Sequence, residues 1–170
     1  MVTVEQAKGS LPSPAAVAAR LRLAGVPGLV FLDSAGNTYH PTPLSIITAD
    51  PAVTICGSLR NASDVVGLQR AIDGMRAAKP TTDLGLPMGG LFGTVDFDGS
   101  FCFGQYSKLL VFEHARKRWF DIGGFVHEHK DALNSTGKLP DPGQILEFVP
   151  LSDRSWYEAA VRQAQEYIAA

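Results

Sequence analysis

Two apolar runs decide how this chain is read: Gly28-Leu29-Val30-Phe31-Leu32-Asp33-Ser34-Ala35 and Leu44-Ser45-Ile46-Ile47-Thr48-Ala49-Asp50-Pro51. Each is short, rich in large aliphatic residues, and closed by a segment carrying an aspartate. Short apolar runs bounded by turn residues read as buried strands. The interval Gly36 to Pro43 holds glycine, asparagine and two prolines, which makes it a loop between the two strands.

Working outward, the preceding segment reads as a helix. Ser13 suits the N-cap, Pro14 the first helical position and Gly25 the stop, with alanine, leucine and arginine between. After the Asp50-Pro51 turn, Ala52 to Cys56 is a third strand. Ser63 or Asp64 caps a second helix running to about Lys79, with Val65, Leu68, Ile72 and Met75 on one face and Asp73 and Arg76 on the other. Gly89-Gly90-Leu91-Phe92-Gly93 lacks the ending of a phosphate-binding loop, so its glycines are expected to allow close approach between strands.

Two hairpins follow. Asp98-Gly99 lies between one pair of strand candidates, and His114 to Lys117 lies between Leu109–Glu113 and Arg118–Ile122. His127 to Pro142 is polar and reads as a loop with at most one helical turn. Ile145 to Val149 is a further strand. A last helix begins near Ser152 or Ser155, with Tyr157, Val161, Ala164 and Ile168 as its apolar stripe.

Composition bounds the function. With 170 residues, 45% hydrophobic and 19% charged, the chain can build a core and falls in the range of one domain. Net charge is −2, and the only dense cationic cluster is Arg116-Lys117-Arg118, a solvated turn rather than a nucleic-acid surface. No run reaches the ~20 apolar residues of a membrane span, and Met1 to Ser10 has no signal-peptide pattern. These features give the expectation of a cytoplasmic protein without nucleic-acid or membrane partners. The cysteines, Cys56 and Cys102, lie far apart in sequence among apolar residues and read as buried free thiols.

No self-sufficient catalytic constellation is visible. Asp96-Phe97-Asp98 reads as the frame of a hairpin turn rather than a cation site. His127-Glu128-His129 lacks the further ligands zinc needs. Glu113 and His114 offer a Glu–His pair with no nucleophile beside it. The expectation is therefore no catalytic and no metal-binding residue.

Three places resemble the amino-terminal region of the chorismate-utilising synthases, the component I chains of aminodeoxychorismate synthase and anthranilate synthase. Leu32-Asp33-Ser34 is similar to the family's Leu-Glu-Ser element. Ser45-Ile46-Ile47-Thr48-Ala49-Asp50-Pro51 matches its second strand, although Pro43-Leu44 stands where an arginine and an aromatic are usual. Gly89 to Gly93 and Leu109 to His114 resemble its Gly-Gly-x-x-Gly-Tyr and Val-Phe-Asp-His strands, with Thr94 in place of the tyrosine.

The resemblance implies an α+β fold, mainly antiparallel strands in an orthogonal, open, barrel-like sandwich with outer helices. It implies a scaffold and pocket domain over residues 1–150, and over 151–170 the opening helix of a missing chorismate-binding domain. The wording is closer to aminodeoxychorismate synthase, which aminates chorismate toward 4-aminobenzoate and folate. Anthranilate synthase component I and a standalone domain binding a small amino acid are the alternatives. It further implies a tryptophan-type pocket at Leu32, Asp33, Ser34 and Ser45, with Tyr39 or His40 in place of the missing arginine. The implied partners are the chorismate-binding domain, a glutamine amidotransferase subunit and tryptophan. Magnesium is expected in the missing domain and no cofactor in this chain, which is expected to be inactive alone.

Overall fold

The computed structural model describes residues 4–7, 11–34, 43–77, 85–135, 149 and 151–169. The chain divides into two compact units, Met1–Leu139 and Pro140–Ala170.

Among the described residues the first unit is mixed α/β, with antiparallel sheets and no closed barrel. Its strands are β1 (Val4–Gln6), β2 (Val30–Asp33), β3 (Leu44–Thr48), β4 (Val53–Ser58), β5 (Gly90–Val95), β6 (Ser100–Tyr106), β7 (Leu109–Glu113) and β8 (Arg118–Ile122). They form a five-stranded sheet in the order β1-β8-β7-β3-β2 and a three-stranded sheet in the order β4-β6-β5. Every pairing is antiparallel. The two tagged runs are the neighbours β2 and β3, with Asp33 opposite Ser45. The short strand β1, unmarked in the sequence reading, pairs with β8.

Alternation along the strands gives the five-stranded sheet two apolar faces. One carries Phe31, Ile47, Leu110, Phe112 and Trp119. It packs on α1 (Pro14–Leu23) through Val17, Ala18 and Leu21, and on α3 (Phe125–Glu128) and α4 (Lys130–Asn134) through Phe125 and Leu133. The other face carries Val30, Leu44, Ile46, Leu109, Val111, Phe120 and Ile122, and packs with Phe92 and Tyr106 of the smaller sheet. Arg20 Nη1 donates to the Leu133 carbonyl at 2.6 Å and ties α1 to α4. The chain passes between sheets at two adjacent corners, after β3 and after β6. There Thr48 Oγ1 donates to the Lys108 carbonyl at 2.7 Å, and the Tyr106 hydroxyl to the Gly28 carbonyl at 2.8 Å.

Local signals explain most elements. The Ser13 side chain accepts from the Ala16 amide, Pro14 opens α1, and Gly25 follows it with φ +71°. The helix α2 (Ala62–Ala77) starts earlier than expected because Asn61 Oδ1, rather than Ser63 or Asp64, accepts from the Ser63 amide. Asp64 instead accepts from the Ser58 amide at 3.0 Å, pinning α2 to β4. A Cβ on Gly93 would lie 2.0 Å from the Cys102 carbonyl oxygen, and one on Gly89 2.6 Å from that of Tyr106. The glycines of this stretch thus serve close strand approach, as their spacing suggested.

Two expectations are corrected. The segment from His127, read as a loop, holds the end of α3 and the whole of α4 within its described residues. Asp121 holds α3 by accepting from the Val126 amide at 3.3 Å. The cysteines are neither buried nor free. Both are exposed, and a disulfide joins them directly across β4 and β6. Apolar sequence neighbours mislead here, because alternation sends those neighbours to the opposite face. The expected strand at 145–149 lies outside the described residues except for Val149.

In the second unit, α5 (Arg154–Ala169) is capped by Asp153 rather than Ser152 or Ser155. Asp153 Oδ1 accepts from the Trp156 amide at 2.8 Å and from the Ser155 hydroxyl at 2.5 Å. Those bonds hold the Asp153 carboxyl below its ordinary range, the Ser155 hydroxyl contributing most. No helix among the described residues is long and apolar enough to cross a membrane.

Candidate functional site

Asp33, Ser45 and His114 come from three separate segments and meet at one end of the five-stranded sheet. Asp33 ends β2, Ser45 lies opposite it in β3, and His114 follows β7. The His114 amide donates to the Pro43 carbonyl at 3.1 Å, which fixes the histidine beside the start of β3. All three side chains lie on the helix-packed face, continuing the rows of Phe31, Ile47 and Phe112.

The Ser45 hydroxyl is fully buried and lies between the other two groups. It donates to Asp33 Oδ1 at 2.6 Å and lies 2.5 Å from His114 Nε2. A hydroxyl has one proton. With that proton donated toward the carboxylate, His114 Nε2 must be the donor toward Ser45. Asp33 Oδ1 also lies 3.6 Å from Nε2. The ring of His114 stands edge-on to Phe112 at 5.0 Å, and Phe112 in turn packs on Trp119 at 4.8 Å.

This order differs from that of a serine nucleophile. There the histidine accepts the hydroxyl proton and the carboxylate holds the far ring nitrogen. Here the carboxylate takes the hydroxyl's hydrogen bond directly, and Ser45 has no exposed surface. The arrangement orients a carboxylate and an imidazole and keeps both partly exposed, at 34% and 20% of their side chains. It suits recognition of a cationic or hydrogen-bonding ligand group rather than acyl transfer.

The sequence-derived pocket residues divide. Asp33 and Ser45 meet. Leu32 is 47% exposed on the opposite face of β2, opposite Ile46. The Ser34 hydroxyl is buried without a hydrogen-bond partner. Tyr39 and His40 lie outside the described residues. His114 does not form the Glu–His pair that its place beside Glu113 offered. It meets Ser45 instead, because residues 113 and 114 point to opposite faces. Glu113 accepts from Arg118 Nη2 at 2.8 Å and Arg116 Nη1 at 2.7 Å, and Arg118, foremost, with Arg116 holds its carboxyl below the ordinary range.

On the same face of the sheet, α1 and β2 flank an open apolar cleft of about 550 Å³ lined by Ala15, Ala18, Ala19, Arg22, Leu29 and Phe31, none of them a member of the trio. Phe31 precedes Asp33 by two residues and shares its face. Arg22 is a wall residue that the sequence reading missed. Its place in the last turn of a helix beside β2 was the available signal.

The other candidates resolve as structure. Asp96 and Asp98 both accept from Ser100, Asp98 Oδ1 at 2.7 Å, and hold the hairpin turn. His127 and His129 diverge. His127 lines a second cleft with Glu5 and Asp121, while His129 packs on Phe125 with ring centroids 4.4 Å apart. Asp121 is pushed above the ordinary carboxylate range, chiefly by burial. Among the described residues no group of three or more His, Cys, Asp or Glu side chains could hold a metal ion. No family model matches the chain, and no curated protein matches it.

Proposed function

We propose that this chain is the amino-terminal scaffold and pocket domain of a chorismate-utilising synthase component I, closer to aminodeoxychorismate synthase than to anthranilate synthase. One observation carries the reading. Three segments that individually resemble the family, around Asp33, Ser45 and His114, converge in a single hydrogen-bonded cluster although residues 45 and 114 lie far apart in sequence. In such a parent enzyme chorismate would be aminated on a separate domain holding magnesium, with ammonia delivered by a glutamine amidotransferase. The location would be cytoplasmic.

In this reading the 550 Å³ cleft takes a small amino acid with an apolar or aromatic side chain. The alanines, Leu29 and Phe31 face the side chain. Asp33 lies within the same face to meet an ammonium group, and the Arg22 guanidinium supplies the carboxylate-binding fork that Pro43-Leu44 lacks.

Assay of the full gene product with chorismate, magnesium and ammonia tests the parent activity. Aminodeoxychorismate is the expected product, anthranilate would favour the sister branch, and neither would overturn the reading. The 170-residue chain alone should yield no product. Calorimetric titration of this chain with tryptophan tests the pocket separately. Binding should fall at least about tenfold in Asp33→Asn, the loss of a charge-assisted hydrogen bond. Tryptophan binding by a gene product without synthase activity would favour a standalone amino-acid-binding domain.

A further inference from the structure

Cys56 and Cys102 occupy directly opposed positions in the β4–β6 ladder, which runs in unbroken register from Val53↔Gln105 to Ser58↔Ser100. Antiparallel register sets the two side chains directly opposite one another on one face of the sheet. Both residues are exposed, as is Thr94, which lies opposite Cys102 on β5. The same face of β6 turns inward at Gly104 and Tyr106, where Phe92 lies opposite Gly104 and stacks edge-on against Tyr106. The disulfide is thus outside the core and open to small solutes, the circumstance in which disulfides are readily reduced.

We infer that Cys56 and Cys102 form a reversible thiol–disulfide site that exchanges with small thiols such as glutathione while the fold persists. An incoming thiolate attacks one Sγ. A mixed disulfide forms, the Cys56–Cys102 bond breaks, and the other cysteine leaves as a thiolate. A second small thiolate then attacks the mixed disulfide, releases the oxidised small-molecule disulfide and frees the second cysteine. Two electrons enter the chain, and the two cysteine thiolates take protons from water.

The topology also selects the sulfur attacked. Displacement at sulfur proceeds along the S–S axis from the far side of the atom attacked, and in a cross-strand pair that axis runs from strand to strand. Behind Cys102 stands β5 with Thr94. Behind Cys56 no strand is present among the described residues, because β4 is the sheet edge. Cys56 therefore receives the small thiol, and Cys102 is the leaving and resolving thiolate. In a glutathione-reduced compartment the site rests as two thiols, and oxidising conditions close it.

The whole chain, oxidised with diamide, provides the test. It should accept no N-ethylmaleimide when oxidised and two equivalents after equilibration with excess reduced glutathione, matching its two cysteines. The far-ultraviolet circular dichroism should be unchanged between the two states. A brief glutathione pulse quenched in acid, followed by peptide mapping, should place the adduct on Cys56 over Cys102 by at least about tenfold, the effect of access on attack at sulfur. Failure of diamide to close the bond, or reduction only in denaturant that unfolds the chain, would overturn the exchange site. An equal or Cys102-weighted adduct would overturn the assignment of roles.

Discussion

The row Asp33–Ser45–Phe112 of the five-stranded sheet and the row Cys56–Cys102–Thr94 of the three-stranded sheet are built alike, from side chains set opposite one another by antiparallel register. They differ in what covers them. The first continues a face packed by α1, α3 and α4, so Ser45 is sealed and its hydroxyl must find partners within the protein. The second faces outward, so its chemistry is with solutes. The same ladder geometry therefore orients groups in one sheet and exposes a reactive bond in the other, and burial decides which.

The comparison breaks first, and with the largest effect, at the supporting core. Leu110 is fully buried in the row next to Ser45. Leu110→Ala should cost about 3–4 kcal/mol in denaturant unfolding through lost packing and the cavity left behind. It should also loosen the Asp33–Ser45–His114 cluster while leaving cysteine exchange intact. A loss of less than about 1 kcal/mol would mean that this face is not the packed one.

The matching insult to the smaller sheet is Gly93→Ala, whose Cβ would meet the Cys102 carbonyl oxygen at 2.0 Å. Backbone cannot yield as a side-chain tip can, so a cost of about 2–3 kcal/mol is expected. Re-formation of the disulfide after reduction should slow, because the register that presents the two sulfurs is disturbed. Unchanged reoxidation would show that the ladder does not position them.

Ser45→Ala sharpens the contrast at smaller magnitude. It removes the hydroxyl shared by Asp33 and His114 and should cost about 1–2 kcal/mol, as for a buried group losing its partner. In nuclear magnetic resonance spectra the His114 ring signals should move with this change and those of the other histidines should not. Cys56→Ser on the exposed row should barely alter stability in reducing buffer.

The smallest effect is in the pH dependence. Glu113, held low by Arg118 and Arg116, stabilises the fold above the unfolded carboxylate range, and that contribution fades as pH falls through its depressed folded value. Asp121, raised by burial, acts oppositely. Its contribution is present at low pH and is lost as pH rises through its raised folded value. Glu113→Gln should therefore flatten the acid limb of a stability profile, and Asp121→Asn should lessen the decline above it. Parallel profiles for both variants and the parent chain would contradict these directions.

Where the determining chemistry is local, the sequence was sufficient. Ser13 and Pro14 start α1 because a hydroxyl and a fixed φ act within one turn. Asp98-Gly99 and the two tagged runs announce a hairpin and strands because turn residues and apolar alternation need no distant partner. The local signals erred where several side-chain acceptors competed for one helix start, as at Asn61 and Asp153.

Tertiary structure alone decided which distant residues meet. Nothing in the spacing of Ser45 and His114, or of Cys56 and Cys102, states that β3 lies beside β7 or β4 beside β6. Pairing order and register arise from how all the strands share two sheets, and a shift of one residue would send each of these side chains to the other face. The sequence by itself determined most of the elements, though not β1, α3 or α4, and the two aspartate tags. The sheet order decided that one tag holds a serine and a histidine, and that the cysteines lie on an open face.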